Sequence, residues 1–416
     1  MRLLLGAFGD PGHAFPMLAL GACLAGRGHD VCLQTWRRWR FDVEASGMAF
    51  AAAPEYQVFP TLGRPMAPYE AAVVAARETA PLVEAFGPDA CVSDILTLAP
   101  ALAAELAGVP VATLVPHVCP LPAPGLPPYS LGARRPRTAL GTRLWAGTDG
   151  VVRRGLERGR AEYNDARAQL GLEPRDELHT GLSRALTLIG TYPQLEYPRA
   201  WPPWTRVCGP LLWEPPGERV NPPDGDGPVV LVAPSTAHDA GHALLRAALD
   251  GLAGERMRVI ATWNGREPPW LAGYRVPANA TLVPWLSYAR SMPACDVVVT
   301  HGGHGTLVRA LSAGCALVVC PAAGDMGENA ARADWAGVGV RLPRRLLGAA
   351  TLRLAVRRAL ADPALRARAR DIARWSAATD GAAAAAGAVE AWAGTIPAPT
   401  AAEVRRDGDF PGPGPS

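Results

Sequence analysis

The chain has 416 residues, 49% hydrophobic and 19% charged, with a formal net charge of +3. That length suits two ordinary domains with their own cores, and the near-balanced charge leaves no footprint for nucleic acid. No apolar run approaches a membrane span, and the N-terminal MRLLLGAF has no cationic lead-in to a long apolar stretch, so the chain reads as soluble and cytoplasmic. There is no lysine; all 41 cationic residues are arginine, and the heavy use of alanine, arginine, glycine and proline reads as a GC-rich coding bias. Cys23, Cys32, Cys91, Cys119, Cys208, Cys295, Cys315 and Cys320 sit mostly inside apolar runs without CxxC pairing. Buried reduced thiols are expected, and metal ligation is not.

Residues 2 to 8 predict a buried strand, followed by the turn GDPGH and a helix from about Phe15 to Gly28. His29 to Thr35 predicts a second strand, and Arg37, Arg38 and Arg40 open the next helix as a solvated face. A third strand is expected at Ala49 to Ala53. The breaker-rich segment from Pro54 to Pro68, with Tyr56, Phe59 and Met66, reads equally as the lining of an apolar pocket or as a loop packed on the sheet. A helix from about Tyr69 to Phe86, a strand at Ala90 to Ser93 ending on Asp94, a helix through Leu106 and a strand at Val111 to Val115 follow. This alternation argues for a parallel, doubly wound sheet.

The proline-rich stretch from His117 to Asp149, with Tyr129 and Trp145, has no clear period and reads as a long loop or loosely helical cover. A helix from about Val151 to Leu170 and strands at Ala185 to Ile189 and Arg206 to Cys208 complete a first domain over 1–213. Residues 214–227, EPPGERVNPPDGDG, form a linker stiffened by prolines. The βα alternation then resumes over 228–395: VVLVAPST, a helix from His238 to Gly251, strands at Arg258 to Thr262 and near Thr281 to Val283, and one long helix from Pro363 to Ala393. The tail 396–416, rich in proline, glycine and alanine, is expected to be disordered.

The most informative stretch is DVVVTHGGHGTLVRALSAGCALVVCPAAGDMGEN, from Asp296 to Asn329. It reads as a short strand, a turn at His301, Gly302, Gly303 and His304, a helix from about Gly305, a second strand, and a polar loop with Asp325, Glu328 and Asn329. A glycine turn entering a helix presents backbone N–H groups and the positive end of the helix dipole, which suits a phosphate. Thr306 adds a hydroxyl, and the two histidines add ring donors. Ser235 and Thr236, after the first strand of the second domain, can close on a diphosphate from the other side. Asp325, at the carboxyl edge of the same sheet, can hold hydroxyl groups. The alternative is a turn that merely joins strand to helix.

His13 and Asp94 form a second constellation, since both follow strands of the first sheet and can reach one edge. A carboxylate on one ring nitrogen fixes the tautomer and makes the histidine more basic, which suits it to accept a proton from a hydroxyl. The alternative is that each simply caps a helix. A dinucleotide site is disfavoured, because Gly6, Gly9 and Gly12 do not have GxGxxG spacing and the second strand ends VCLQTW without an acidic residue.

Taken together, GHAFPMLALGACLAGRGHDV, the strand ending on Asp94, YPRAWP, GPLLW, THGGHGT and PAAGDMGENA resemble the family 1 nucleotide-sugar glycosyltransferases. The resemblance is greatest to the actinobacterial enzymes that decorate antibiotics and other secondary metabolites, and it covers nearly the whole chain except the tail. It implies the GT-B fold: two Rossmann-like domains facing a cleft, with the C-terminal helix crossing back to the first. It further implies an inverting, metal-independent transfer without a cofactor, from a nucleoside diphosphate sugar (TDP- or UDP-linked) to a hydroxyl of an apolar small molecule. On this resemblance the first domain binds the acceptor and the second the donor. His13 is then the base and Asp94 its partner. His301, Thr306 and the backbone of Gly303 to Gly305, with Ser235 or Thr236, hold the diphosphate, and Asp325 binds sugar hydroxyls, with Asn329 close by. The acceptor is expected against 54–68 and 117–145, with Phe15, Tyr56, Phe59, Met66, His117 and Tyr129 as candidate contacts.

Three positions depart from the family. Met326 follows Asp325 where glutamine is frequent, which turns the expected donor toward a deoxysugar. After Trp285 the chain reads Leu286, Ser287, Tyr288 in place of x-Pro-Gln, which leaves Trp285 either stacked on the nucleobase or packed in the core. His304, where relatives vary, is either a phosphate contact or a surface residue of the turn. The rival readings are a C-glycosyltransferase, a sugar epimerase of this fold and a non-catalytic auxiliary partner of a transferase. A monomer or homodimer is expected.

Overall fold

The computed structural model describes residues 1–55, 66–178, 181–235, 239, 241–265, 267–322 and 324–395. Tyr56, Phe59, Thr236 and the tail 396–416 lie outside the described residues. Among the described residues thirteen strands build two all-parallel sheets. The first holds β1 (Arg2–Gly6), β2 (Asp30–Thr35), β3 (Ala49–Ala52), β4 (Ala90–Asp94), β5 (Val111–Val115), β6 (Thr187–Ile189) and β7 (Thr205–Val207), in the spatial order β3-β2-β1-β4-β5-β6-β7. The second holds β8 (Val229–Ala233), β9 (Arg258–Thr262), β10 (Ala280–Val283), β11 (Val297–Thr300), β12 (Ala316–Val319) and β13 (Gly339–Arg341), in the order β10-β9-β8-β11-β12-β13. The sequences VVLVA, VVVT and ALVV are buried at every residue. Such continuous apolar runs form strands where helices cover both faces of a parallel sheet.

Each sheet reverses its strand order once, between β1 and β4 in the first and between β8 and β11 in the second. At such a point the loops leaving neighbouring strands diverge to opposite faces and open a crevice at the carboxyl edge. The chain therefore has two crevices, one per domain, and the expected doubly wound architecture is what the structure shows.

The single long helix expected over 363–393 is two helices, Pro363–Ala378 and Gly381–Ala393. The break comes at Thr379 and Asp380, both extended, where the Asp380 carboxylate accepts from the Ala383 amide at 3.0 Å and caps the new helix. The second helix packs on the first domain, with Ala385, Ala386 and Val389 in that core and Glu390 paired to Arg27 (2.6 Å) and His29 (2.8 Å). The helix expected from His238 begins at Ala243, because the Asp239 carboxylate accepts from the amides of Ala243 and Leu244 and fixes the start there. The helix expected from Phe15 runs over Pro11–Gly26, with Pro11 at its start, so His13 lies inside its first turn. Within 117–149 a helix forms over Ala139–Ala146. Arg38 is exposed together with Arg37 and Arg40, as expected of a solvated face. It stacks on Trp36 and Trp39 and donates to the Gly9 carbonyl, pinning the turn that leads to His13.

The two domains meet closely along a seam. Val118, Tyr192 and Leu195 of the first domain are buried in the second domain's core, where the Tyr192 hydroxyl bonds to the Val308 carbonyl at 3.2 Å and the Ser376 hydroxyl at 3.0 Å. Beside them Arg332 is buried between Glu328 (2.8 Å) on its own helix, Met326–Ala336, and Glu196 (3.2 Å) of the first domain, with its guanidinium 3.7 Å from the Tyr197 ring centre. Burial pushes the Glu196 carboxyl up, and Arg332 opposes that shift. The linker is fastened too: Glu214 pairs with Arg309 at 3.3 Å and accepts from the Ala289 amide at 3.0 Å. No helix among the described residues is long and apolar enough to cross a membrane.

Removing one member of a buried ion network leaves uncompensated charge, a loss of about 3–5 kcal/mol. Arg332→Ala is expected to cost that much in denaturant unfolding. The triple variant Arg332→Met, Glu196→Gln, Glu328→Gln is expected to cost clearly less. Equal losses would show that packing, not charge, holds the seam.

Candidate active site

The crevice of the first sheet holds His13 and Asp94. Asp94 is the last residue of β4, 1% exposed, and its Oδ2 accepts from the Phe8 amide at 3.1 Å. Its Oδ1 lies 2.8 Å from His13 Nδ1. A carboxylate only accepts, so Nδ1 carries the proton and Nε2 is left as the basic nitrogen. Burial lowers the His13 pKa, but the charge and hydrogen bond of Asp94, with smaller contributions from Asp10 and Asp325, raise it above the ordinary value. Asp325 belongs to the other domain and lies near enough to His13 to act on it electrostatically.

The crevice of the second sheet holds Ser235, two residues past β8, and His301, directly past β11. Thr300 pairs with Ala233 across the two strands, which sets these loops side by side. His301 Nδ1 lies 3.3 Å from the Ala233 carbonyl, and the ring occupies the space over Gly303, where a Cβ would lie 2.4 Å from Nε2. Gly302 has φ +91, in the left-handed region. The two glycines are thus required, one by backbone conformation and the other by the imidazole above it. The helix His304–Ser312 starts from Gly303, and the amides of His304, Gly305 and Thr306 in its first turn have no intrahelical acceptor. The Asp325 carbonyl accepts from the Asn329 amide at 3.0 Å, but its side chain makes no capping bond to the helix Met326–Ala336, which leaves the carboxylate available to the cleft. Asn329 Nδ2 donates to the Gly302 carbonyl at 2.9 Å and braces the turn.

Between the two crevices stand His117 and Tyr129. The His117 ring lies edge-on to His13 with centroids 6.1 Å apart and stacks on Tyr129 at 5.7 Å. Its Nδ1 lies 2.8 Å from the Val118 carbonyl. Burial first, then the charge of His13, lowers its pKa. Gly132, at φ +60, lies against the Gly327 backbone, so the segment carrying Tyr129 rests on the second domain.

Of the two alternatives for His304, the structure removes the surface one, since the residue is 8% exposed. Among the described residues neither ring nitrogen has a hydrogen-bond partner, with the Gly190 backbone and the Asn329 side chain beside it. Trp285 is 47% exposed past the end of β10, which removes core packing as its role. Phe15 does not share a face with His13. Two residues along a helix are about 200° apart, and Phe15 is engaged edge-on by Trp39 and Trp213, each at 5.0 Å. Met66 is half-buried at the start of the helix Pro68–Phe86. Met326 is buried, so no amide stands next to Asp325 at this edge.

With this geometry in place, the comparisons with known proteins are informative. Residues 246–391 match the model of the erythromycin biosynthesis protein CIII-like C-terminal domain. Over 88% of this chain and 93% of the relative, it is 30% identical to 4'-demethylrebeccamycin synthase of Lentzea aerocolonigenes. Over 95% of this chain and 98% of the relative, it is 31% identical to O-mycaminosyltylonolide 6-deoxyallosyltransferase of Streptomyces fradiae. The chain belongs to the family 1 glycosyltransferases, in their antibiotic-biosynthesis branch. The fold of this family is the GT-B fold seen here. The calicheamicin glycosyltransferase CalG4 superposes with a TM-score of 0.73 and 24% identity, covering 94% of this chain and 98% of that one. Glycosyltransferase VinC, solved in complex with DTDP, superposes at 0.71 with 19% identity, covering 95% and 100%.

Residue patterns in this glycosyltransferase missed the buried state of His304 and the engagement of Phe15. An unfolded His304 takes a proton near pH 6.5, whereas in the fold burial first, then the charge of His117, pushes its pKa down to about 3. Folding is therefore opposed increasingly as pH falls below 6.5 and is unaffected by this group above it, at up to about 1.4 kcal/mol per pH unit. His304→Asn is expected to flatten the fall of stability between pH 6.5 and 5 by up to that slope. Parallel curves for variant and wild type would show that His304 protonates in the folded state.

Proposed function

We propose that the chain is an inverting, metal-independent glycosyltransferase of hexosyl type. It moves a sugar from a nucleoside diphosphate donor to a hydroxyl of an apolar small-molecule acceptor. The observation that carries this reading is the His13–Asp94 pair, held at one crevice and influenced by Asp325 at the opposite one. His13 Nε2 takes the proton of the acceptor hydroxyl as that oxygen attacks the anomeric carbon. The bond from that carbon to the phosphate oxygen breaks on the opposite side, and the diphosphate leaves with the electron pair. Developing charge on the leaving group is met by the amides at the start of the helix His304–Ser312, the Thr306 hydroxyl and the His301 imidazole. These groups supply the positive field that a divalent cation would otherwise provide.

Thymidine diphosphate is the favoured carrier. VinC was solved with DTDP and the spinosyn rhamnosyltransferase SpnG with thymidine diphosphate. A deoxysugar suits the buried Met326 beside Asp325, since fewer hydroxyls need fewer partners, and one relative is a 6-deoxyallosyltransferase by name. In this reading Trp285 stacks on the base, which its exposure past β10 supports, and Ser235 and Asn329 serve the diphosphate loop, which the Asn329 bond to the Gly302 carbonyl supports. The acceptor belongs over the first domain, beside His117 and Tyr129.

His13→Ala is expected to lower turnover by at least about a hundredfold, the contribution of a positioned general base, with affinity for thymidine diphosphate nearly unchanged. His301→Ala is expected to weaken that affinity in a calorimetric titration. Unchanged turnover in the first variant would remove the base assignment, and unchanged affinity in the second would remove the phosphate role. Because the free base is the active form and Asp94 raises the His13 pKa, the rate should rise with pH through a midpoint above 6.5. In Asp94→Asn that midpoint should fall along with the rate, whereas an unmoved midpoint would assign it to another group.

A further inference from the structure

Away from the cleft, at the far end of the helix Met326–Ala336, a cavity of about 250 Å³ is lined by Arg134, Arg137, Arg341, Arg358 and Arg368 with Asp334 and Asp362. Sites for drug-sized ligands run to roughly 300–1,000 Å³, so this one has room for a small ion rather than an acceptor. Of the two carboxylates, Asp334 is taken by Arg134 at 3.0 Å, and Asp362 caps the helix Pro363–Ala378 through the amides of Ala364 and Leu365. Among the described residues, Arg137, Arg341, Arg358 and Arg368 then have no carboxylate within ion-pair distance. The carboxyl end of the helix at Gly337, over which the Arg368 guanidinium lies, contributes only about half a negative charge. Arg341 is the most constrained member. Its Nη1 donates to the Gly132 carbonyl at 2.6 Å, while its Nε is buried with no hydrogen-bond partner. An orphaned donor on a buried part of a guanidinium, amid like charges, is costly unless an acceptor occupies the space.

The cavity also joins the domains. Arg134 and Arg137 follow the segment whose Tyr129 stacks on His117 and whose Gly132 rests on Gly327, while Arg341, Arg358 and Arg368 belong to the second domain. An anion bridging both sets of guanidiniums pulls that segment onto the second domain, with Tyr129 against the cleft.

We propose that this cavity binds a small multivalent oxyanion of the phosphate class, and that occupancy fastens the 129–137 segment across the domain seam. Arginine suits such a ligand because its planar fork meets phosphate oxygens in pairs. This site is separate from the turn at His301 and does not depend on the transferase reading.

The test titrates inorganic pyrophosphate calorimetrically into the full chain, into His301→Ala, and into the surface variant Arg137→Ser, Arg358→Ser, Arg368→Ser. Saturable binding is expected in the wild type. It should persist in His301→Ala and weaken at least about tenfold in the triple variant, since charge-assisted hydrogen bonds are each worth at least that factor. The single variant Arg358→Ser, which removes only one exposed side chain, should show an intermediate loss and guards against misfolding of the triple. Absence of saturable binding, or binding lost in His301→Ala and kept in the triple variant, would overturn the site. Hydrogen exchange of 129–137 should slow at saturating pyrophosphate in the wild type, and unchanged exchange would overturn the fastening role. Repeating the titration with orthophosphate and with thymidine diphosphate separates a free-ion ligand from a nucleotide.

Discussion

The arrangement of this molecule depends on Arg332, a cation buried between carboxylates from both domains. Glu328 lies one helical turn before it, whereas Glu196 comes from the first domain, 136 residues away in the chain. The same Glu196 accepts from the Cys119 amide at 2.6 Å, and so ties the network to the segment that carries His117. Charge burial of this kind adds little net stability but penalises any arrangement that separates its members. The seam is thereby specified rather than merely adhesive, and the distance between the two crevices is set with it.

Given that specification, the chemistry follows from two parallel sheets. Each reverses strand order once and each opens one crevice at its carboxyl edge. One crevice holds a histidine whose basicity is raised by a buried aspartate. The other presents a helix start, two required glycines and a histidine. Asp325 acts electrostatically on His13, His117 and Tyr129, so the region between the crevices is one environment. The imidazoles divide the work by their surroundings. Asp94 raises the pKa of His13, while burial lowers that of His304, which has no carboxylate beside it.

Much of this was legible in the sequence. Apolar runs such as VVLVA and VVVT, each followed by a glycine, serine or histidine turn, specify parallel strands and the edge at which their loops gather. His13 and Asp94 could be paired before any coordinates because each follows a strand of one sheet. What escaped reading has two causes. The break at Asp380 rests on a single carboxylate capping one amide, inside a stretch whose alanine content favours unbroken helix. The burial of His304, the engagement of Phe15 by Trp213 and the Arg332 network are all made by segments far apart in the chain, and local periodicity carries no information about such contacts.

The central claim is that one bound molecule spans both crevices, with its phosphates on the turn at His301 and its sugar toward His13. A crystal structure of the complex with thymidine diphosphoglucose tests it most directly. The account predicts the diphosphate on the amides of His304, Gly305 and Thr306 beside the His301 ring, and the anomeric carbon on the side facing His13. An acceptor oxygen about 3–3.5 Å from that carbon would then lie within reach of Nε2. Phosphates bound away from residues 301–306, or an anomeric carbon turned from His13 with the domains in the arrangement described here, would contradict it.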